Sequence, residues 1–157
     1  MTRRVVERES LVAAPVGDVW TRVTSFEGID HELRPWLSMS VPRGAEHLDV
    51  QTVPVGALLG RSWIRLFGLV PVDYDDLTIA ALEPGRSFHE RSRMFSARVW
   101  EHERTLTPVD GGTRVHDRLT FEPRVALTAG LHARVIGALF AHRHRRLARH
   151  FVRAGRR

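Results

Sequence analysis

Five polar side chains of this 157-residue chain fall where an apolar interior is expected, and three of them, Glu90, His102 and Asp117, are able to exchange protons. In the segment Thr113 to Phe121, Val115, Asp117, Leu119 and Phe121 share one face of an alternating strand, against Arg114, His116, Arg118 and Thr120. Asp117 is therefore expected to point inward. One segment earlier, Trp100, His102, Arg104 and Leu106 share a parity, which turns His102 and Arg104 inward beside Asp117. Phe88, Glu90 and Ser92 repeat the pattern one strand before that and add Glu90. The fifth residue, Arg143, belongs to a helical segment. An imidazole beside a carboxylate can serve as an acid-base pair near neutral pH, and guanidinium groups donate to an acidic or carbonyl group. The simpler alternative is that the two acids and two Arg make a structural salt-bridge network that locates the helix on the sheet, with Arg143 reaching out to the edge.

The elements that must position these residues are legible as changes of period. Residues 3 to 12 read as a strand ending at Ala13-Ala14-Pro15, where proline marks a helix start and Asp18 suits the first turn. Val16, Val19, Trp20 and Val23 give one apolar face of a short helix; Gly28 is expected to break it, and Ile29 to Leu33 to form a second. Beyond Pro42, period-two segments alternate with turn residues. Glu83-Pro84-Gly85 and Asp110-Gly111-Gly112 separate strands expected at 72–82, 86–94, 97–108 and 113–121, with earlier ones at 48–53 and 61–67. A last helix is expected from about 129 to 152, followed by a basic tail at 153–157. Counting from Leu131 at about 100° per residue, Val135, Leu139, Ile136, Leu147, Phe140 and Phe151 fall between about 40 and 200°, a stripe centred near 120°. Arg143 projects at about 120°, in its middle. A buried guanidinium needs an anion, and Asp117 and Glu90 are the expected partners. The sum is an α+β arrangement in one domain spanning 1–157, with no repeat and no dividing linker.

Composition removes several classes of function. There are 24 Arg, no Lys, 18 acidic residues and no Cys, for a net charge of +6. A disulfide framework, a thiolate zinc site, a cysteine nucleophile, a Schiff-base lysine and a P-loop lysine are thereby excluded. From Gly130 to Arg157 there are eight Arg and no acid, so the body of the chain is slightly acidic and the excess sits on the last helix. His142-Arg143-His144-Arg145-Arg146 and the Arg that follow are able to meet phosphates. No aromatic platform interleaves with them, and a solvated helix face is the simpler expectation. His142 and His144 project about 200° apart on a helix and cannot hold one ion together. No HExxH or GxSxG motif is present, and neither a metal nor a cofactor is expected. The segment from Glu32 to Trp36 reads either as a pocket-mouth loop with Trp36 over a ligand or as a proline-fixed turn anchored by a buried Trp. Tyr74 with Asp73, Asp75 and Asp76 reads as a sheet-edge or loop feature rather than a carboxylate site. The start of the chain lacks an apolar signal region, and a soluble cytoplasmic protein is expected.

These residues and their order resemble the START/Bet v 1-like (SRPBCC) superfamily over nearly the whole chain. The resemblance rests on the opening strand running into AAPVGDVW, the FxE of Phe88 to Glu90, the WxHxR of Trp100 to Arg104, the GGTxVxDxLxF of Gly111 to Phe121, and the long terminal helix. It implies a helix-grip fold: a seven-stranded antiparallel sheet curved around the C-terminal helix, two short helices after strand 1, and an elongated cavity lined or neighboured by inward strand positions.

On this basis the expected activity is binding of a small hydrophobic molecule, lipid-, polyketide- or aromatic-like, with Trp36, Glu90, Trp100, His102, Arg104, Asp117 and Arg143 as candidate ligand-binding residues. The alternative is a polyketide cyclase or dehydratase with His102 and Asp117 as its acid-base pair. A third reading, a basic-helix module for nucleic acid or an anionic membrane, requires that helix face to be exposed. A homodimer is compatible with all three.

Overall fold

The computed structural model describes residues 3–156. In chain order the elements are β1 (Arg4–Val12), α1 (Val16–Thr24), α2 (Phe26–Leu33), β2 (Leu37–Met39), β3 (Leu58–Leu66), β4 (Val70–Glu83), β5 (Ser87–Met94), β6 (Ala97–Val109), β7 (Gly112–Pro123) and α3 (Ala129–Ala154). The strands form one antiparallel sheet in the order β1-β7-β6-β5-β4-β3-β2. The sheet curls around α3, with the two short helices after β1, as the helix-grip fold requires. Register shifts at Leu58/Gly60, Ile64/Arg65, Ile79/Ala81 and Ala97/Val99 supply bulges that bend strands and help the sheet curl.

Two apolar clusters form the core. At one end Val19, Trp20 and Val23 of α1 pack on Ile79, Leu106, Val115 and Leu147; at the other, Leu119 and Phe121 of β7 meet Ile136 and Phe140 of α3. The polar residues interrupt this core at one level. Asp117 lies between Val115 and Leu119 on β7, Arg104 and His102 between Leu106 and Trp100 on β6, and Arg143 and His144 between Phe140 and Leu147 on α3.

Several sequence expectations are corrected. Residues 48–53 form turns rather than a strand. Asp49 Oδ1 accepts from the backbone N–H of Gln51 and of Thr52 (both 3.0 Å), which coils the segment, while Val50 and Val53 are buried. The short strand β2, pairing Leu37–Met39 with Ile64–Leu66, stands in the sheet instead. The break between the first helices is at Ser25, whose Oγ accepts from Gly28 N (3.0 Å) and caps α2. Gly28 lies inside α2, where a Cβ would sit 1.8 Å from the Arg22 carbonyl oxygen. On α3 the buried face is Ile136, Phe140, Arg143, His144 and Leu147, rotated from the expected stripe, with Leu131 and Val135 more than half exposed.

The crowding at Gly28 gives a matched pair of substitutions. Gly28→Ala should lower unfolding stability by about 1–3 kcal/mol through overpacking. Gly17→Ala, in α1 with nothing within 4 Å of its Cβ, should raise it by about 0.4–1 kcal/mol. Urea denaturation midpoints of the two variants check both signs.

Candidate functional site

The two-residue turn Asp110-Gly111, with Gly111 at φ 81°, places Val109 opposite Gly112, and five residues further along Arg104 falls opposite Asp117. The β5–β6 register places Glu90 opposite His102 in the same way. Arg104 and Asp117 are fully buried and paired through two bonds, Nε to Oδ1 and Nη2 to Oδ2, both 2.7 Å. The far side of the guanidinium is met by Glu32 of α2, through Nη1 to Oε1 at 2.9 Å and Nη2 to Oε2 at 3.1 Å. Glu32 also accepts from Arg143 Nε at 3.0 Å, tying α3 to α2. Asp117 is completed by the Nε2 atoms of His102 (2.8 Å) and His144 (2.7 Å), and His144 Nδ1 reaches Ser10 Oγ of β1 at 2.6 Å.

Burial on its own would raise both carboxyl groups. For Asp117 the opposing charges of Arg104 and His102 win and hold it well below the usual range; for Glu32 those of Arg104 and Arg143 hold it low. The His102 ring feels burial pushing it down, but Asp117 and Glu90 outweigh that and hold it above its ordinary value. His102 packs edge-on to Phe88 and Phe140, with centroids 5.4 and 5.1 Å away.

Beside this knot lies a cavity of about 330 Å³ between sheet, α2 and α3. Its walls are largely apolar, including Leu33, Met39, Ile79, Trp100, Leu139 and Phe140, and Glu90, His102, Arg143 and Asp75 supply polar atoms. Burial and then the neighbouring Glu90 push the Asp75 carboxyl well above the carboxylate range, and its Oδ1 is buried without a hydrogen-bond partner among the described residues. Glu90, despite its burial, is held low by His102 and by the hydrogen bonds of Asp75 and Ser92, the last at 2.8 Å from Ser92 Oγ. Arg143 places its guanidinium carbon 4.7 Å from the Phe140 ring centroid. Only its Nε has a partner among the described residues, so its Nη groups are the donors it offers to the cavity.

Of the residues singled out in the sequence, Glu90, Trp100, His102 and Arg143 line the cavity. Arg104 and Asp117 join the same network but stand behind it. Trp36 does neither: it is 52% exposed, at ring-contact distance from Phe67 and His142, beside the cis Arg34–Pro35 bond. It is therefore not the buried anchor of a turn, and no part of it lines the cavity. Arg143 pairs with Glu32, correcting the expected partners Asp117 and Glu90. Tyr74 and the Asp73–Asp76 group lie within β4, an interior strand, rather than at an edge or in a loop, and Asp75 is buried. His142 contacts the Arg34 carbonyl while His144 reaches Asp117, so they diverge. Among the described residues no group of three or more His, Cys, Asp or Glu is arranged to hold a metal ion.

Three members of the site were missed, each with a signal in the sequence. Glu32 stands at i+3 from Ile29 and next to Leu33 on the inward face of α2. His144 projects about 20° from Phe151 in the same helical count that found Arg143. Asp75 shares parity with Leu77 and Ile79.

Solved structures with this architecture define the class. An aromatase/cyclase from Streptomyces sp. R1128 superposes with a TM-score of 0.73 at 14% identity, covering 97% of this chain and 95% of its own. A START superfamily protein from Mycobacterium smegmatis gives 0.70 at 10%, covering 96% and 98%. Ara h 8.0201 gives 0.64 at 13%, covering 96% and 99%. The fold is thus the START/Bet v 1-like one. Within it, the chain belongs to the family described as a domain of unknown function, DUF8410, which it matches over residues 10–151. No curated protein matches the sequence.

The knot makes stability depend on acid in a defined direction. Glu32 and Asp117 have folded values below their ordinary 4.5 and 3.8, so their contribution is complete above those values and is lost as pH falls through the lower folded ones. Glu32→Gln should cost about 3–5 kcal/mol at pH 7 by leaving a buried guanidinium half-paired. Its deficit against the wild type should shrink as pH falls below about 4, which paired thermal unfolding curves would show.

Proposed function

We propose that the protein binds a small, largely hydrophobic molecule bearing an acidic or carbonyl oxygen at one end, in the cavity between sheet and C-terminal helix. The observation that carries this reading is the asymmetry of the wall: apolar side chains enclose most of the roughly 330 Å³, and Arg143, His102 and Glu90 supply oriented polar atoms. Arg143 donates to the ligand oxygen, the Glu32 bond holds its guanidinium in place, and the apolar body rests against Trp100, Leu139 and Phe140. Arg104 and Asp117 support the site from behind. The START superfamily likeness supports the same reading.

A second reading, catalysis of a cyclase or dehydratase type, is favoured by one observation: two proton-bearing groups, Asp75 and His102, flank the ionised Glu90 in the cavity wall. One of the structural neighbours is an aromatase/cyclase. In this reading Glu90 is the base and Asp75 or His102 the acid. Asp117, saturated by Arg104, His102 and His144, holds the His102 ring above its ordinary value.

Binding is tested with the neutral fluorophore N-phenyl-1-naphthylamine. Val135→Trp and Leu139→Trp place indole rings at the cavity, Val135 being mostly exposed and Leu139 partly buried. The wild type should bind the probe, and both variants should bind it about tenfold or more weakly with unchanged melting temperature, the loss of about 1.4 kcal/mol expected when a ligand's apolar contacts are displaced. Equal binding by all three proteins would sink the proposal. For the catalytic reading, Glu90→Gln should abolish turnover of a polyketide-like substrate while retaining its binding; retained turnover contradicts it.

A further inference from the structure

We propose that the protein has a second ligand site, outside the cavity, which binds a phosphoryl group in the cleft between α2 and the C-terminal half of α3. This cleft, of about 360 Å³, is lined by His31, Arg146, Arg149, His150 and Arg153. None of the five borders the hydrophobic cavity. The four α3 residues stand at i, i+3, i+4 and i+7 and so form one face of the helix. His31, in the last turn of α2, closes the cleft with its ring 5.4 Å from that of His150.

The charge in the cleft is uncompensated. Of the neighbouring acids, Glu27 is bonded to Arg22 Nη1 at 3.0 Å, and Glu32 is spent on Arg104 and Arg143. Arg22 of α1, the partner of Glu27, leaves its Nε without an acceptor. Burial, then Arg146, Arg22 and His150, push the His31 ring below its ordinary value against a weak pull from Glu32. Burial and then Arg22 do the same to His150, with Glu27 opposing. Like charges gathered by the packing of three helices repel one another, and an anion in the cleft relieves that repulsion. Arg146 is already oriented, with Nε donating to the His31 carbonyl at 3.1 Å.

A phosphoryl group matches this donor set. It carries up to two negative charges on three terminal oxygens, which arginine forks meet with paired hydrogen bonds and imidazolium rings with single ones. The geometry favours such a compact anion over a nucleic-acid strand: the cations converge on one cleft, and no Phe, Tyr or Trp lines it to stack a base.

The test is titration of the full chain with inorganic phosphate at constant ionic strength, following the imidazole signals of His31 and His150 by NMR. Saturable shifts and a rise in both titration midpoints are expected. Arg149 and Arg153 are exposed, so the double variant Arg149→Gln/Arg153→Gln should fold normally. It should bind phosphate about tenfold or more weakly, since two charge-assisted donors are removed. Its N-phenyl-1-naphthylamine binding should equal that of the wild type, which separates this site from the cavity. Cosedimentation with phosphatidylcholine vesicles containing phosphatidic acid, lost in the double variant and absent for phosphatidylcholine alone, would assign the phosphoryl group to a lipid headgroup. Phosphate binding without cosedimentation would assign it to a soluble phosphate or phosphomonoester. Identical shifts with chloride, unchanged phosphate affinity in the double variant, or oligonucleotide binding without phosphate binding would overturn the proposal.

Discussion

The guanidinium of Arg104 is fully buried, and each of its nitrogens is bonded to a carboxylate, Asp117 on the neighbouring strand or Glu32 on the second helix. Withdrawing such a charge from water is costly unless its pairing is complete, so the placement of α2 against the sheet is constrained by Arg104. Glu32 then holds Arg143, and Asp117 holds His102 and His144, so α2, α3, β6 and β7 converge on one level of the core. Apolar packing above and below this level is non-directional; the ion pairs select one register of helix against sheet. Glu32, Asp117 and Glu90 face Arg104, Arg143 and His102. The polar interior is compatible with stability because opposite charges are paired and its ion pairs are hydrogen-bonded.

The same network divides the polar residues by role. Arg104 and Asp117 are saturated and shielded, which suits them to holding the fold. Glu90, His102 and Arg143 are each bonded on the side facing the knot and present a side to the cavity. A structural salt-bridge network and a cavity wall are therefore two faces of one arrangement. The polar side chains that line the cavity cannot swing freely, because each is also bonded away from it, which preorganises them.

Strand parity and helical angle were enough to place Glu90, His102, Arg104, Asp117 and Arg143 inside, because each sits among apolar neighbours at the period of its element. Hairpin register follows from Asp110-Gly111 and makes the Arg104–Asp117 pair readable as well. What connects α2 and α3 was not readable. Glu32 meets Arg104 across 72 residues and Arg143 across 111, and no local period encodes which helix lies over which strand. Residues 48–53 read as a strand because Leu48 and Val50 alternate, but these side chains and Val53 pack inward from turns, where Asp49 captures the amides. Trp36 was misplaced for a related reason: a large aromatic after a proline says little about whether it turns inward. Fold class was legible at the level of element order, and the likenesses to a START superfamily protein and to Ara h 8.0201 agree with it.

The central claim is that the buried network pairs its charges so that Asp117 and Glu90 outweigh burial at His102. NMR titration of the His102 imidazole nitrogens in the intact protein tests this directly. The ring should titrate above its ordinary value of 6.5. A ring titrating below 6.5 would mean that burial outweighs Asp117 and Glu90, and would contradict the claim.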